Sequence, residues 1–158
     1  MTIYIKNIKI LKKKINKKKL VFSSGCFDVF HVGHLIFLKE FAKFPGVKIL
    51  AINTDKSIKK IKGKNRPINI YKNRVRLIKL LNLVDYIIPL NYDTPEKMIK
   101  LFKPDIFVKG KENTSTFSRK LKIYKIIRKY SKRIKYINLV NQMSSTSIIS
   151  RVKKIYDK

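Results

Sequence analysis

The sequence predicts an α/β protein with an open, mainly parallel sheet of five strands and helices on both faces. Apolar runs of strand length alternate along the chain with segments in which apolar residues recur at helical spacing. The strand-length runs are continuously apolar, which is typical of strands that are buried on both faces of a parallel sheet. The length of 158 residues fits one domain with a single core.

The first strand follows a lysine-rich lead-in. Residues 1–18 are expected to form a solvated helix or an extended segment that leads into the domain at 19–158. The apolar run 20–23 has the length of a short buried strand, and it stops at Gly25. Leucine and phenylalanine then recur at helical spacing, and Pro45 ends that predicted helix.

The middle of the chain repeats this alternation. The run 47–52 predicts the second strand, and residues 55–70 are expected to form a polar, basic loop. Val75 and Ile78 begin the apolar pattern of the next helix, and the run 84–90 predicts the third strand.

The remaining elements follow the same pattern. Thr94 is a good N-cap and Pro95 suits the first position of a helix, which Pro104 ends. Residues 105–108 and 134–140 predict the last two strands, with a helix between them and a final helix after them.

The net charge is +30, from 39 basic and 9 acidic residues. Such an excess fits a phosphate-rich partner, such as nucleic acid or an anionic membrane. The excess is mostly Lys in a chain that is also rich in Ile and Asn, however, and these residues have A/T-rich codons. Because the basic residues are spread along the chain, genome composition is the favoured explanation, and nucleic acid is not the expected partner.

Cysteine usage and hydropathy predict the compartment. The single cysteine cannot form an internal disulfide. No run approaches the ~20 apolar residues that span a bilayer, and the lysines near the N-terminus exclude a signal peptide. We expect a soluble, cytoplasmic protein without a membrane partner.

The turn after the first strand carries the strongest functional signal. Residues 25–34 read Gly-Cys-Phe-Asp-Val-Phe-His-Val-Gly-His, and His31 and His34 are the only histidines in the chain. At i and i+3 on a first helical turn, both imidazoles can face one anion, and Gly33 lets a phosphate approach the backbone. The pattern favours phosphate binding at the position where open α/β sheets bind nucleotides.

Two other kinds of chemistry are possible at this turn. A metal site would use Asp28 as a third ligand beside the histidines, but the glycines favour phosphate and the supply of metal ligands is thin. Cys26 and His31 would make a thiol–imidazole pair, although a small buried side chain is the favoured role for Cys26.

The segment 25–34 resembles the signature of the cytidylyltransferase-like nucleotidyltransferases, and the resemblance covers residues 19–153. Further matching segments are 52–57, Lys62-Gly63, Arg66-Pro67, Arg74, 83–85, 93–95 and 103–110. Their spacing is similar to that of D-glycero-β-D-manno-heptose 1-phosphate adenylyltransferases, which are often half of a bifunctional heptose kinase/adenylyltransferase.

The resemblance implies a Rossmann-like nucleotidyltransferase fold and a stand-alone enzyme that transfers AMP from ATP to a sugar 1-phosphate. The products would be pyrophosphate and an ADP-sugar. This ADP-sugar would be ADP-heptose, which is used in lipopolysaccharide synthesis. It further implies that Mg²⁺ arrives with ATP, that no protein metal site is needed, that a separate kinase acts upstream, and that a homodimer is an option.

The resemblance also implies roles for individual residues. His31, His34 and Lys62 would be catalytic. The nucleotide would contact Cys26, Phe27, Asp28, Gly33, Lys109, Gly110, Ser144, Ser145 and Thr146. The sugar phosphate would contact Arg66, Arg74 and Glu112.

Two departures from the pattern bear on the substrates. Relatives usually continue their Val-Lys-Gly with Gly-Asp-Tyr, whereas residues 111–113 are Lys-Glu-Asn, which leaves the identity of the sugar open. Residues 141–143 lack the arginine of many cytidylyltransferases, which favours ATP over CTP. The alternatives are a cytidylyltransferase for glycerol 3-phosphate, phosphoethanolamine or a similar alcohol phosphate, and a nucleic-acid-binding module on a degenerate nucleotide fold.

Overall fold

The continuously apolar runs form the strands of one parallel sheet. A computed structural model describes residues 1–111, 117–138 and 144–156, and the side chains of all of these except 117–122. In the described part, the strands are β1 (Ile3–Tyr4), β2 (Leu20–Gly25), β3 (Val47–Asn53), β4 (Tyr86–Leu90), β5 (Ile106–Lys111) and β6 (Arg133–Asn138). The helices are α1 (Ile8–Lys14), α2 (Val32–Ala42), α3 (Asp55–Lys62), α4 (Tyr71–Leu81), α5 (Glu96–Phe102), α6 (Phe117–Tyr130) and α7 (Ser145–Tyr156).

The strand order β1-β4-β3-β2-β5-β6 places a switch point at β2. From β2 the chain builds outward to β3 and β4, and it then crosses to the other side of β2 to add β5 and β6. In open parallel sheets, the crevice at such a reversal, at the carboxyl ends of the strands, is where ligands bind. The topology therefore directs attention to the ends of β2 and β5.

Both faces of the sheet are buried, as the apolar runs predict. Neighbouring residues of β2 alternate between two cores. Phe22 packs with Leu11 and Ile99 on one face, whereas Val21 packs with Leu38 and Ile78 on the other. The α/β class, the parallel sheet and the helices on both faces are therefore confirmed.

The sheet has six strands in the described part, rather than the predicted five, because the lysine-rich lead-in contributes β1. Ile3 pairs with Tyr86 of β4. In α1, Leu11 is fully buried although lysines surround it in the sequence, and Ile15 just after the helix is 6% exposed. The lead-in therefore packs against the core that contains Phe22, instead of extending into solvent.

Two local predictions also need correction. Residues 55–70 are not a loop throughout, because they begin with α3, in which the fully buried Ile58 holds an otherwise lysine-rich helix against the protein. The helix predicted to start at Pro95 starts one residue later, with Pro95 at the N-cap and no side-chain capping bond. Within the described residues, no helix has both the length and the apolar character needed to cross a bilayer.

Candidate active site

The turn between β2 and α2 is shaped by a glycine and an aromatic ring. A Cβ atom added at Gly25 would lie 2.8 Å from the ring of Phe27, so only glycine lets that ring pack against the end of the strand. Phe27 itself has a φ of 50°, in the left-handed region that few non-glycine residues adopt. The chain thereby reverses sharply before His31, which is the N-cap of α2.

His31 and His34 lie against each other at the start of α2. Their ring centroids are 3.9 Å apart and their planes differ by 27°. The Nδ1 atom of His31 accepts a hydrogen bond from the backbone N–H of Gly33, at 3.1 Å. In the neutral ring the proton must then be on Nε2, so His31 can donate a hydrogen bond to an anion.

His34 is enclosed by aromatic rings. Its ring centroid lies 5.1 Å from that of Phe27 and 5.5 Å from that of Phe30. Burial, followed by His31 and the positive charge of Lys62, lowers the pKa of His34 to about 4. Burial also lowers the pKa of His31, so both rings are neutral at pH 7. The buried Nδ1 of His34 has no hydrogen-bond partner among the described residues.

Lys62 brings a positive charge to the same turn from the end of α3. Its side chain is exposed, and its charge lowers the pKa values of both His34 and Cys26. Such effects require proximity, so Lys62 lies near His34 and Cys26. A cation beside two neutral imidazole donors is an arrangement that can bind a phosphate group.

Asp28 anchors the segment after α3 to the turn. Its carboxylate lies 2.6 Å from Nε of Arg66 and accepts a hydrogen bond from the backbone N–H of Asn69, at 2.8 Å. The Asp28 side chain is fully buried, and that of Arg66 is 12% exposed. Both predicted ligand-binding side chains therefore form a buried ion pair that holds the turn and residues 66–69 together.

Arg74 is buried and bonded to protein groups instead of pointing at solvent. Its guanidinium donates to the backbone oxygens of Asn69 and Cys26 and to Oδ1 of Asp55, the last at 2.7 Å. These contacts tie α4 to the turn and to the start of α3. The contact that the sequence predicts, with a sugar phosphate, would compete with these bonds.

Cys26 is half-buried, and its Sγ lies 3.7 Å from Oδ1 of Asn53. Burial raises the pKa of the Cys26 thiol, although the charges of Lys62 and Arg74 oppose this effect. A protonated thiol is a poor nucleophile, so this environment does not support a thiol–imidazole pair.

The metal alternative finds no support in the donors that the structure brings together. A metal site at this turn would need the carboxylate of Asp28 as its third ligand. That carboxylate instead accepts hydrogen bonds from Arg66 and from the backbone N–H of Asn69. The described residues contain no group of three or more His, Cys, Asp or Glu side chains that could hold a metal ion.

The carboxyl end of β5 lies beside that of β2. The two strands pair in parallel, and Oγ of Ser23 donates to the backbone oxygen of Val108, at 2.9 Å. Lys109 and Gly110 follow Val108 in β5 and are half-buried. Because β5 runs parallel to β2, they lie at the same edge of the sheet as Gly25. Glu112 lies outside the described residues.

The start of α7 packs against the β2–α2 turn. The buried hydroxyl of Ser145 donates to the backbone oxygen of Val29, at 3.3 Å. Ser144 caps the helix by accepting a hydrogen bond from the N–H of Ser147, at 3.0 Å, and Thr146 is exposed. Of the three predicted hydroxyl residues, Ser145 thus contacts the turn, and Ser144 and Thr146 lie beside it at a helix N-terminus, which attracts anions.

Sequence reasoning missed four residues of this region. A cavity of about 80 Å³ lies between the turn and α4, and Phe30, Asn69, Asn73 and Leu77 help to line it. The isolated asparagines and the helical Leu77 carry no motif that could have identified them. Phe30 could have been noticed, because it directly precedes His31.

Comparisons with known proteins identify the family of the chain. A model of the cytidylyltransferase-like family matches residues 22–151. Proteins named bifunctional protein HldE from Campylobacter fetus subsp. fetus and Helicobacter hepaticus are 34% and 36% identical, each over 91% of this chain. The chain spans only 30% and 28% of the length of those two relatives.

Solved structures show the same fold. The lipopolysaccharide core biosynthesis protein from Thermoplasma volcanium GSS1 has a TM-score of 0.61 and 28% identity, covering 78% of this chain and 99% of its own. A pantoate-beta-alanine ligase from Francisella tularensis has a TM-score of 0.63 at 15% identity, covering 100% of this chain and 79% of its own, and it shows the fold alone. With the family match extending over the histidine pair and nearly all of the sheet, the chain belongs to the cytidylyltransferase-like family of nucleotidyltransferases.

Proposed function

We propose that the chain transfers AMP from ATP to a sugar 1-phosphate, D-glycero-β-D-manno-heptose 1-phosphate, with release of pyrophosphate. The observation that carries this proposal is the stacked pair of neutral imidazoles, His31 and His34, at the switch point of the sheet. A pair of hydrogen-bond donors beside a cation suits a group whose negative charge grows during reaction.

In this reaction, an oxygen of the sugar phosphate attacks the α-phosphorus of ATP. The new P–O bond forms as the bond from the α-phosphorus to the pyrophosphate oxygen breaks, and the electron pair leaves with pyrophosphate. The attacking oxygen is already an anion, so the enzyme needs no nucleophilic side chain and no strong base. It must align the two phosphates and stabilise the charge between them.

The described side chains can supply both requirements. Nε2–H of His31 is able to donate to a phosphate oxygen, and Lys62 adds a positive charge near the neighbouring His34. The N-terminus of α7 at Ser145 offers backbone N–H groups to the remaining phosphates. ATP would enter as its Mg²⁺ complex, in which the metal offsets triphosphate charge as part of the substrate.

The heptose and its supply are inferred from similar proteins. The relatives are named bifunctional HldE, and a similar structure is named for lipopolysaccharide core biosynthesis. A kinase would supply the sugar 1-phosphate. A cytoplasmic location, where ATP is available, and a homodimer belong to the same proposal.

Pyrophosphate release tests the proposal directly. The purified chain is incubated with ATP or CTP and a panel of sugar and alcohol phosphates. Turnover with ATP and the heptose 1-phosphate supports it, whereas turnover with CTP and glycerol 3-phosphate or phosphoethanolamine supports the alternative. His31→Ala should lower the rate on the order of 10²- to 10³-fold, as expected for the loss of one transition-state donor. Val32→Ala, which changes an exposed neighbour, should retain the rate.

A further inference from the structure

A second cavity lies at the opposite edge of the sheet from the histidine pair. It has a volume of about 390 Å³ and is lined by Tyr124, Arg128, Ser131, Lys132, Arg133 and Ile134. This volume falls in the range of roughly 300–1,000 Å³ that small-molecule sites occupy.

The position of this cavity separates it from the candidate active site. It is formed where α6 ends and β6 begins, and the backbone N–H of Arg133 donates to the oxygen of Asp105, just before β5. The candidate active site lies at the carboxyl ends of the strands, and six residues of β6 span ~20 Å. One small ligand cannot occupy both places.

Ser131 is the feature that indicates a ligand. The residue is only 8% exposed, and its Oγ is buried without a hydrogen-bond partner in the part of the chain that the structure describes. Leaving a buried hydroxyl unpaired costs about 1–3 kcal/mol. Ser131 lines the cavity, and a rotation about its χ1 would bring the hydroxyl to a polar ligand there, which could accept its hydrogen bond.

The surrounding charge selects an anion. Three basic side chains line the cavity, and Asp105 offsets one of them through an ion pair with Lys132, at 2.7 Å. The C-terminal end of α6 adds roughly half a negative charge, which leaves the cavity positive. The guanidinium of Arg128, 5.6 Å from the ring centroid of Tyr124, and that of Arg133 are suited to bind phosphate oxygens.

We propose that this cavity is a binding site for a small phosphate monoester, separate from the catalytic turn. Arg128 and Arg133 pair with the phosphate oxygens, and Ser131 donates to one of them. The inference rests on this cavity alone and does not depend on the reaction proposed above.

The test titrates the ¹⁵N-labelled full chain with inorganic phosphate at constant ionic strength. The chemical shifts of the backbone amides are followed by NMR. Saturable shifts are expected at Ser131 and Arg133. Arg128→Gln should weaken this binding about 10-fold, the loss of one charge-assisted hydrogen bond. Lys129→Gln removes the same charge from the adjacent exposed position and should leave the affinity unchanged.

A third variant separates a ligand-binding serine from a structural one. Ser131→Ala removes a hydroxyl that has no described partner, so it should weaken phosphate binding without lowering the free energy of unfolding. Shifts that do not saturate, equal losses in Arg128→Gln and Lys129→Gln, or saturable shifts confined to residues 25–34 would each overturn the proposal.

Discussion

Acidification should destabilise the folded chain through His34, because the fold holds this imidazole in its neutral form. Burial lowers its pKa from 6.5 to about 4, with smaller contributions from His31 and Lys62. The rings of Phe27 and Phe30 lie 5.1 and 5.5 Å away and replace water that would otherwise stabilise the imidazolium. In the unfolded chain the ring is hydrated and takes up its proton near 6.5.

The sign and size of the effect follow from proton linkage. Between pH 6.5 and 4 the unfolded chain binds a proton at this residue that the folded chain does not bind, so the free energy of unfolding falls as the pH falls. The separation between 6.5 and about 4 corresponds to about 3 kcal/mol at 1.36 kcal/mol per pKa unit. Above pH 6.5 both states are neutral and His34 adds no pH dependence.

Urea unfolding of the wild type and of His34→Gln, in phosphate-free buffers between pH 7 and pH 4, measures this contribution. Glutamine does not titrate, so the variant should gain about 3 kcal/mol relative to the wild type across that range. An NMR titration of the ring protons should place the midpoint of His34 near 4. A midpoint at 6.5 or above, or parallel stability curves, would refute the argument that the aromatic rings keep this imidazole neutral.

Three further substitutions test other parts of the structure. Asp28→Asn should cost about 3–5 kcal/mol in urea unfolding, because it leaves a mostly buried guanidinium without its carboxylate; a loss below 1 kcal/mol would contradict the buried pair. Leu11→Ala should cost about 2–5 kcal/mol if the lead-in belongs to the core, whereas an unchanged midpoint would mean that it does not. Lys62→Met should lower pyrophosphate release on the order of 10²-fold and raise the pKa of His34, and Lys60→Met, an exposed control on the same helix, should do neither.

Much of the fold could be predicted because buried parallel strands have continuous apolar sequences. This pattern identified the segments that form β2 to β6, and helical spacing identified most of the helices. It could not identify β1, since two residues carry no periodicity and Ile3 finds its partner only at Tyr86. It also missed α3, because a single buried apolar residue, Ile58, is too weak a signal among lysines.

In the candidate site, too, some features depend on residues close together in the sequence and others on residues far apart in it. The histidine pair could be predicted because its spacing and its place after a strand are local features of the sequence. The bonds from Arg74 to Cys26 and Asp55 join residues 48 and 19 positions apart, and the bond from Ser145 to Val29 joins residues 116 apart. Only the packing of the helices determines which of the many basic side chains turn inward, so the sequence could not separate Arg74 from its exposed neighbours.

The three-way bonding of Arg74 limits which substitutions this lysine-rich chain can accept. A planar guanidinium reaches the backbone of two loops and a carboxylate at once, in directions that a single ammonium group cannot reproduce. Arg74→Lys would lose at least one of these bonds and weaken the attachment of α4 to the β2–α2 turn. This lysine-rich chain therefore depends on an arginine at position 74.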